Sequence, residues 1–273
     1  MFGLKKVEYF EGTYYEGDNG GPYGLDLFKR QTKRIFRTIV DFDKDYLGQR
    51  RVELWPLHFE DKKPPLSNAQ ALTTWTTWLE NHPSKIRDLT VYIADQALLE
   101  AIAKQPQIEK LTITDGNFTD LSPLTLLPKL TYLQIHPRSA DIDFSVLKKV
   151  KSLRALHIHS RKTLRFETLS GLSQLDGLWI GSGIDPAFDG KSIKVSNLDF
   201  LRPLTQLKRL RIDSVRPVDR DFSPLLELKN LEQAWYIYFR GQHPSVEEMA
   251  KANPAFVGVY ENKLYIDETY SGR

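Results

Sequence analysis

Three histidines, His136, His157 and His159, have the types and spacing that come nearest to chemistry in this chain. His157 and His159 stand two residues apart and share one face of an extended segment, where imidazoles can hold a metal or move a proton. A zinc site needs three or four convergent ligands with hydrogen bonds behind them. The nearest acid, Asp213, is two strands from His159 in any repeat register, with Gly181 between. No His-Glu-x-x-His spacing occurs, and the absence of cysteine excludes thiolate ligands, Cys nucleophiles and disulfides. Asp189-Gly190-Lys191-Ser192 matches the end of a phosphate-binding loop, but Asp185 stands where its first glycine belongs. No Gly-x-Ser-x-Gly elbow is present. The expectation is a non-enzyme with no catalytic residue, metal or cofactor. A metal-dependent hydrolase using His136, His157 and His159 is the minor alternative.

The elements that position these residues repeat. The pattern apolar-x-x-apolar-x-apolar opens at Ile86, Ile108, Leu130, Leu153, Leu175 and Leu207, with weaker copies at Leu231 and Phe256. The intervals are 22, 22, 23, 22, 32, 24 and 25 residues. Such a period means one short unit stacked on itself. The fullest copy runs from Ile108 through Leu111, Ile113, Phe118, Leu121, Leu124 and Leu127 to Leu130. Second halves recur at Asp143-Phe144-Ser-Val-Leu147, Asn197-Leu198-Asp-Phe-Leu201 and Asp221-Phe222-Ser-Pro224-Leu225.

From Ile86 to Val259 this pattern resembles leucine-rich repeat proteins, specifically the short bacterial internalin-like class. The resemblance implies an α/β solenoid, with a curved parallel β-sheet on the concave side and short helical or 3-10 segments on the convex side. It also implies action by binding. One departure is plain: the family usually carries Asn at the ninth position, and here that position reads Ala94, Gly116, Arg138, Arg161, Gly183 and Val215.

A lone repeat cannot bury its apolar face, so the ends need caps. Residues 65–85 read as a helical cap, with Leu72, Trp75 and Leu79 spaced 3 and 4, Ser67 or Asn68 at the start and Pro83 after the end. Residues 86–260 hold the repeats, closed by a helix at about 244–253 with a capping box, Ser245 to Glu248. Residues 261–273 read as a tail. Residues 1–64 read as a β-rich N-terminal subdomain, with strands in Arg34–Phe42 and Arg51–Phe59 by β-branched and aromatic content. The first residues show no apolar h-region and the last no wall anchor, so the expected location is cytoplasmic.

Strand geometry names the outward face. If repeat positions 4 and 6 point inward, positions 3, 5 and 7 point out. From the third repeat these columns gather Tyr132, His136, His157, His159, Trp179, Arg209, Arg211, Asp213 and Trp235, rich in the types that dominate interface hot spots. Gly177 and Gly181 flank Trp179 on its own strand and leave its ring uncovered by strand neighbours. Either a partner covers the ring, or the insertion of about ten residues at Ile184–Ile193 folds over it. On the first reading, Trp179→Ala weakens binding and leaves the melting temperature within a few degrees.

The formal charge of +3 is too small to argue a polyanion partner. Lys148, Lys149, Lys151, Arg154, Arg161, Lys162 and Arg165 cluster without an intervening acid, as a solvated rim, as steering toward an acidic partner, or as a nucleic-acid contact. Asp141, Asp143 and Glu167 border the cluster, which disfavours nucleic acid. The resulting expectation is a monomeric protein-binding module with no membrane role. Its protein partner, acidic surface among the options, meets the nine concave residues. A regulatory or immunity-type inhibitor of an enzyme or toxin is the alternative.

Overall fold

Each repeat places its apolar residues in the same way. In the copy opening at Ile108, Ile108, Leu111, Ile113, Phe118, Leu121, Leu124 and Leu127 are all buried. At roughly 1.5–3 kcal/mol per buried large apolar side chain, a unit of this size offsets the ordering of its turn only because its neighbours cover both sides. The computed structural model describes residues 6–9, 12–15, 37–39, 41–56, 66–160, 162–181 and 192–270.

Two N-terminal strands, β1 (Lys6–Tyr9) and β2 (Gly12–Tyr15), form an antiparallel pair. The main sheet is parallel throughout. It runs from β3 (Arg37–Ile39) and β4 (Arg51–Leu54) to β5 (Asp88–Val91), whose extension is β6 (Ala94–Asp95). It continues through β7 (Lys110–Asn117), β8 (Tyr132–Pro137), β9 (Ala155–His159) and β10 (Gly177–Gly181). After the short β11 (Ile193–Val195) come β12 (Arg209–Asp213), β13 (Val215–Pro217) and β14 (Gln233–Tyr236), with β12 and β14 completing the main sheet. This is the leucine-rich repeat solenoid expected from the spacing.

Four of the return segments begin alike, while the one at Phe166–Gly171 has no side-chain cap. The Asp or Asn that opens each of the four accepts a hydrogen bond from the backbone N–H two residues on: Asp120 from Ser122 at 2.7 Å, Asp143 from Ser145 at 2.8 Å, Asn197 from Asp199 at 3.1 Å and Asp221 from Ser223 at 2.8 Å. Such a bond turns the chain out of the extended state. Most returns are then 3-10 turns, as at Ser122–Leu126 and Phe144–Lys149, while the first is the α-helix Gln96–Ala103.

Register replaces the missing asparagines. Ala94 pairs with Gly116, the Arg138 N–H donates to the Gly116 carbonyl at 2.8 Å, and β11 pairs with β13 through Ile193 and Val215. Backbone pairing thus satisfies groups that an Asn side chain serves in the usual repeat. Gly181 matters here for a different reason. A Cβ at this position would collide with the Asp213 backbone carbonyl and lie 2.9 Å from the Asp213 Cα. Backbone cannot yield as a side-chain tip can, so Gly181→Ala is expected to cost about 1–3 kcal/mol in urea unfolding. A neutral result would mean that β10 and β12 can separate freely.

A capped helix precedes β5. Helix Asn68–Asn81 starts at Ser67, whose hydroxyl accepts from the Gln70 N–H while the Gln70 side chain returns to the Ser67 N–H. Such caps contribute about 1 kcal/mol. Trp75 and Leu79 are buried, and Leu72 packs partly buried against the core. At the far end, Ser245 and Glu248 form the expected capping box on helix Val246–Ala252.

Three sequence expectations differ from what is observed. The strands sought before residue 64 do not stand apart: β4 pairs with β5 from Arg51↔Asp88 to Leu54↔Val91, and β3 pairs with β4, so the sheet crosses that boundary. The weak copy at Phe256 is helical, because Asn253 caps a turn that starts at Pro254 and leads into the helix Val257–Tyr270. Much of the expected tail is therefore this helix. The linker Lys62–Pro65 and nearly all of the insertion at 184–193 lie outside the described residues.

Candidate functional site

The hydrogen-bonded register aligns the outward columns. Residues His157, Trp179, Arg211 and Trp235 are direct partners across β9, β10, β12 and β14. Neighbouring strands are about 4.8 Å apart, close enough for flat side chains to stack. They do. The His157 and Trp179 rings lie 3.8 Å apart with planes 4° from parallel, and the Arg211 guanidinium sits 4.2 Å from the Trp179 ring centre on β12.

This corrects the view of Trp179 as uncovered. Glycines flank it along its own strand, but the faces of its ring meet residues on the two adjacent strands, where no glycine stands. The indole N–H donates to Asp213 Oδ2 at 2.7 Å, and the Arg211 Nε–H donates to the same oxygen at 2.7 Å. Trp179 is half-buried, and Trp235 and Tyr132 are buried at 5% and 7% exposure, so these rings offer a partner edges more than faces. The Tyr132 hydroxyl bonds Gln134 Oε1 at 2.9 Å.

His157 is likewise buried, against the expectation of a solvent-facing imidazole. His159 and His136 are half-buried and stack on each other at 4.6 Å and 9°. The His136 Nδ1 lies 3.1 Å from the Thr114 carbonyl, which fixes that nitrogen as the protonated one. Rings packed plane to plane point their in-plane lone pairs side by side and not at a common centre. Among the described residues no group of three His, Cys, Asp or Glu converges on a metal position. Arg209 is half-buried on the third column of β12.

Burial pushes the His157 imidazole well below its ordinary value, with the charges of His159 and Arg211 acting in the same direction. Burial pushes the Asp213 carboxyl up, against the pull of Arg211 and Trp179. The two groups act oppositely on stability. Below the ordinary imidazole value of 6.5 the unfolded chain takes up the His157 proton first, so folding stability falls with pH. Asp213 takes up its proton first in the folded chain, which opposes that fall at lower pH. His157→Gln is expected to flatten the loss below about pH 6.5 by up to 1.4 kcal/mol per pH unit in urea titrations. An unchanged slope would contradict the buried neutral imidazole.

The seventh column begins earlier than the sequence suggested. Trp55 and Tyr92 directly follow β4 and β5 with ring centres 4.2 Å apart, and the Tyr92 N–H donates to the Leu54 carbonyl at 3.0 Å. Arg51, Glu53 and Trp55 therefore belong to the outward face. Val52 and Leu54, both buried, were the available signal, but Gln49 occupies the position where an apolar residue opens the later repeats.

The basic cluster divides. Lys162 Nζ donates to the Arg138 carbonyl at 2.7 Å, Arg154 binds the Lys151 carbonyl at 2.8 Å, and Arg165 pairs with Glu167 at 3.4 Å. Lys148, Lys149 and Lys151 are exposed on the other edge, and Arg161 lies outside the described residues. No helix among the described residues is long and apolar enough to cross a membrane.

No family model matches the chain, and no curated protein does. Solved structures similar to it include an internalin of Listeria monocytogenes, 24% identical over 63% of this chain and 44% of that one, with a TM-score of 0.43. A leucine-rich repeat protein of Leptospira interrogans is 15% identical over 73% of this chain and 46% of that one, at 0.45. An internalin C2 of Listeria monocytogenes is 22% identical over 52% and 66%, at 0.35. The chain spans less than two thirds of each of these proteins.

Proposed function

We propose that this leucine-rich repeat chain is a protein-binding module that meets its partner on the outward face of the parallel sheet. The observation that carries the reading is the stacked, hydrogen-bonded order of the outward columns from His136 to Arg211. Side chains that already hold one another lose little freedom when a partner docks, so more of the contact energy appears as affinity. Tyr132, His136, His159, Arg209 and Arg211 present polar edges and charge. His157, Trp179, Asp213 and Trp235 hold those groups in place. The reading assigns binding and not catalysis, because the imidazoles face one another and the Asp213 carboxylate already accepts two hydrogen bonds. Monomeric action in the cytoplasm belongs to the same proposal.

Affinity capture from the native lysate tests it with three baits. These are the wild-type chain, a concave variant (His136→Glu with Arg209→Glu) and a convex control, Leu126→Glu, at a side chain 65% exposed. Melting curves establish that all three are folded. The expected outcome is a protein retained by the wild type and the convex control and lost from the concave variant. Retention by all three baits, or loss only from the convex control, would remove the proposal.

A further inference from the structure

We infer that the convex edge at Leu126, Lys148, Lys149 and Lys151 rests reversibly on an anionic membrane surface. The outward face takes no part in this contact, which stands or falls apart from the concave-binding reading. A chain that lies on a bilayer needs no spanning helix.

The return segments sort their charges by position. Lys148 and Lys149 close the 3-10 turn Phe144–Lys149 and Lys151 follows it, all three exposed. Among the described residues none of these three side chains has a hydrogen bond or an ion pair. Lys129 and Arg154 flank them and bond neutral groups. Lys129 donates to the Gln107 side chain at 2.7 Å, and Arg154 to the Lys151 and Leu153 carbonyls at 2.8 and 3.0 Å. Such bonds leave both charges uncancelled. The acids of these turns stand at the opposite ends of their segments. Asp143 caps the start of Phe144–Lys149, and Glu167 lies in the first turn of Phe166–Gly171. Asp176, whose N–H donates to the Arg154 carbonyl at 2.8 Å, is the acid beside the cluster.

An apolar group stands among these cations. Leu126 ends the neighbouring turn, Ser122–Leu126, with its side chain 65% exposed. It takes the place that Lys149 takes one repeat later, two residues after the buried Leu124 and Leu147 respectively. On the next turn is Gly171, where a Cβ would lie 3.6 Å from Lys148 Cδ, so the lysine stem reaches across to that turn. An exposed leucine among hydrated ammonium groups matches the boundary between lipid headgroups and acyl chains. A protein carboxylate is read best by guanidinium forks held in place, and these are free lysines. Single-stranded nucleic acid needs rings for its bases, and the ring of this turn, Phe144, is fully buried. A convex side meets a flat one over few turns, so each cation matters, about fivefold in affinity.

Co-sedimentation of the full chain with phosphatidylcholine vesicles, with and without about 30% phosphatidylserine, tests this. Binding is expected to the anionic vesicles alone, and it should weaken as salt rises. Lys148→Gln with Lys149→Gln and Lys151→Gln should weaken it about a hundredfold, and Leu126→Ser about fivefold. Melting curves establish that these exposed substitutions leave the fold intact. Equal binding to both vesicles, binding to neither, or full binding by the lysine variant would overturn the inference. So would an unchanged Leu126→Ser variant, because the leucine is what selects a bilayer over other anions. Polyglutamate and duplex DNA serve as rival ligands. If either binds the wild type more tightly than the vesicles do, the patch serves a soluble polyanion and the membrane assignment is lost.

Discussion

Trp179→Ala is expected to lower the unfolding free energy by about 3 kcal/mol, the low end for removing a large aromatic ring. The alanine removes the surface that His157 and Arg211 stack against, 3.8 Å and 4.2 Å from the indole, and takes one donor from Asp213. Trp179→Phe separates the two effects. It keeps a ring in the column and loses only the indole N–H, so its cost should fall to about 1–1.5 kcal/mol. Urea unfolding of the three proteins reads both numbers. A cost below about 1 kcal/mol for the alanine variant would return the ring to the role first expected from the sequence, a surface free for a partner.

The second large effect is Arg211→Met. Asp213 would then keep a buried carboxylate with the indole N–H as its remaining donor among the contacts described, and removing one member of a buried pair costs about 3–5 kcal/mol. The side chains of Arg211 and Asp213 are 15% and 9% exposed, so solvent screens the pair weakly. Without Arg211 the carboxyl is pushed up further. The variant should therefore recover relative to the wild type as pH falls from neutral, since protonation removes the uncompensated charge. Asp213→Asn in the same background should restore much of the loss at pH 7. A loss that neither acid nor the second substitution relieves would place the defect in packing and not in charge.

These effects follow from a lesson about columns. The apolar spacing from Ile86 onward was enough to read the solenoid and its inward residues, and Ser245 with Glu248 the C-terminal capping box, because burial and capping are local demands written into single segments. The outward residues of the later repeats were also legible, and register brings them together as counted. Their state was not legible. Gly177 and Gly181 beside Trp179 suggested an open ring, because a sequence displays neighbours along the strand more plainly than neighbours across it. His157 and Arg211, 22 and 32 residues away, decide the environment of the ring. Trp55 was missed for a related reason. Gln49 breaks the apolar opening of its repeat, so pattern alone left β4 outside the array that its hydrogen bonds join.

The central claim is that binding occurs on the outward face of the sheet. Site-specific photo-crosslinking tests it most directly, with a benzophenone side chain placed at Thr114 on that face or at Leu126 on the convex side, in cells that express the native partner. The account predicts one protein adduct from Thr114 and none of the same mass from Leu126. An adduct from Leu126 with Thr114 silent would contradict it, and would move the interface to the convex turns.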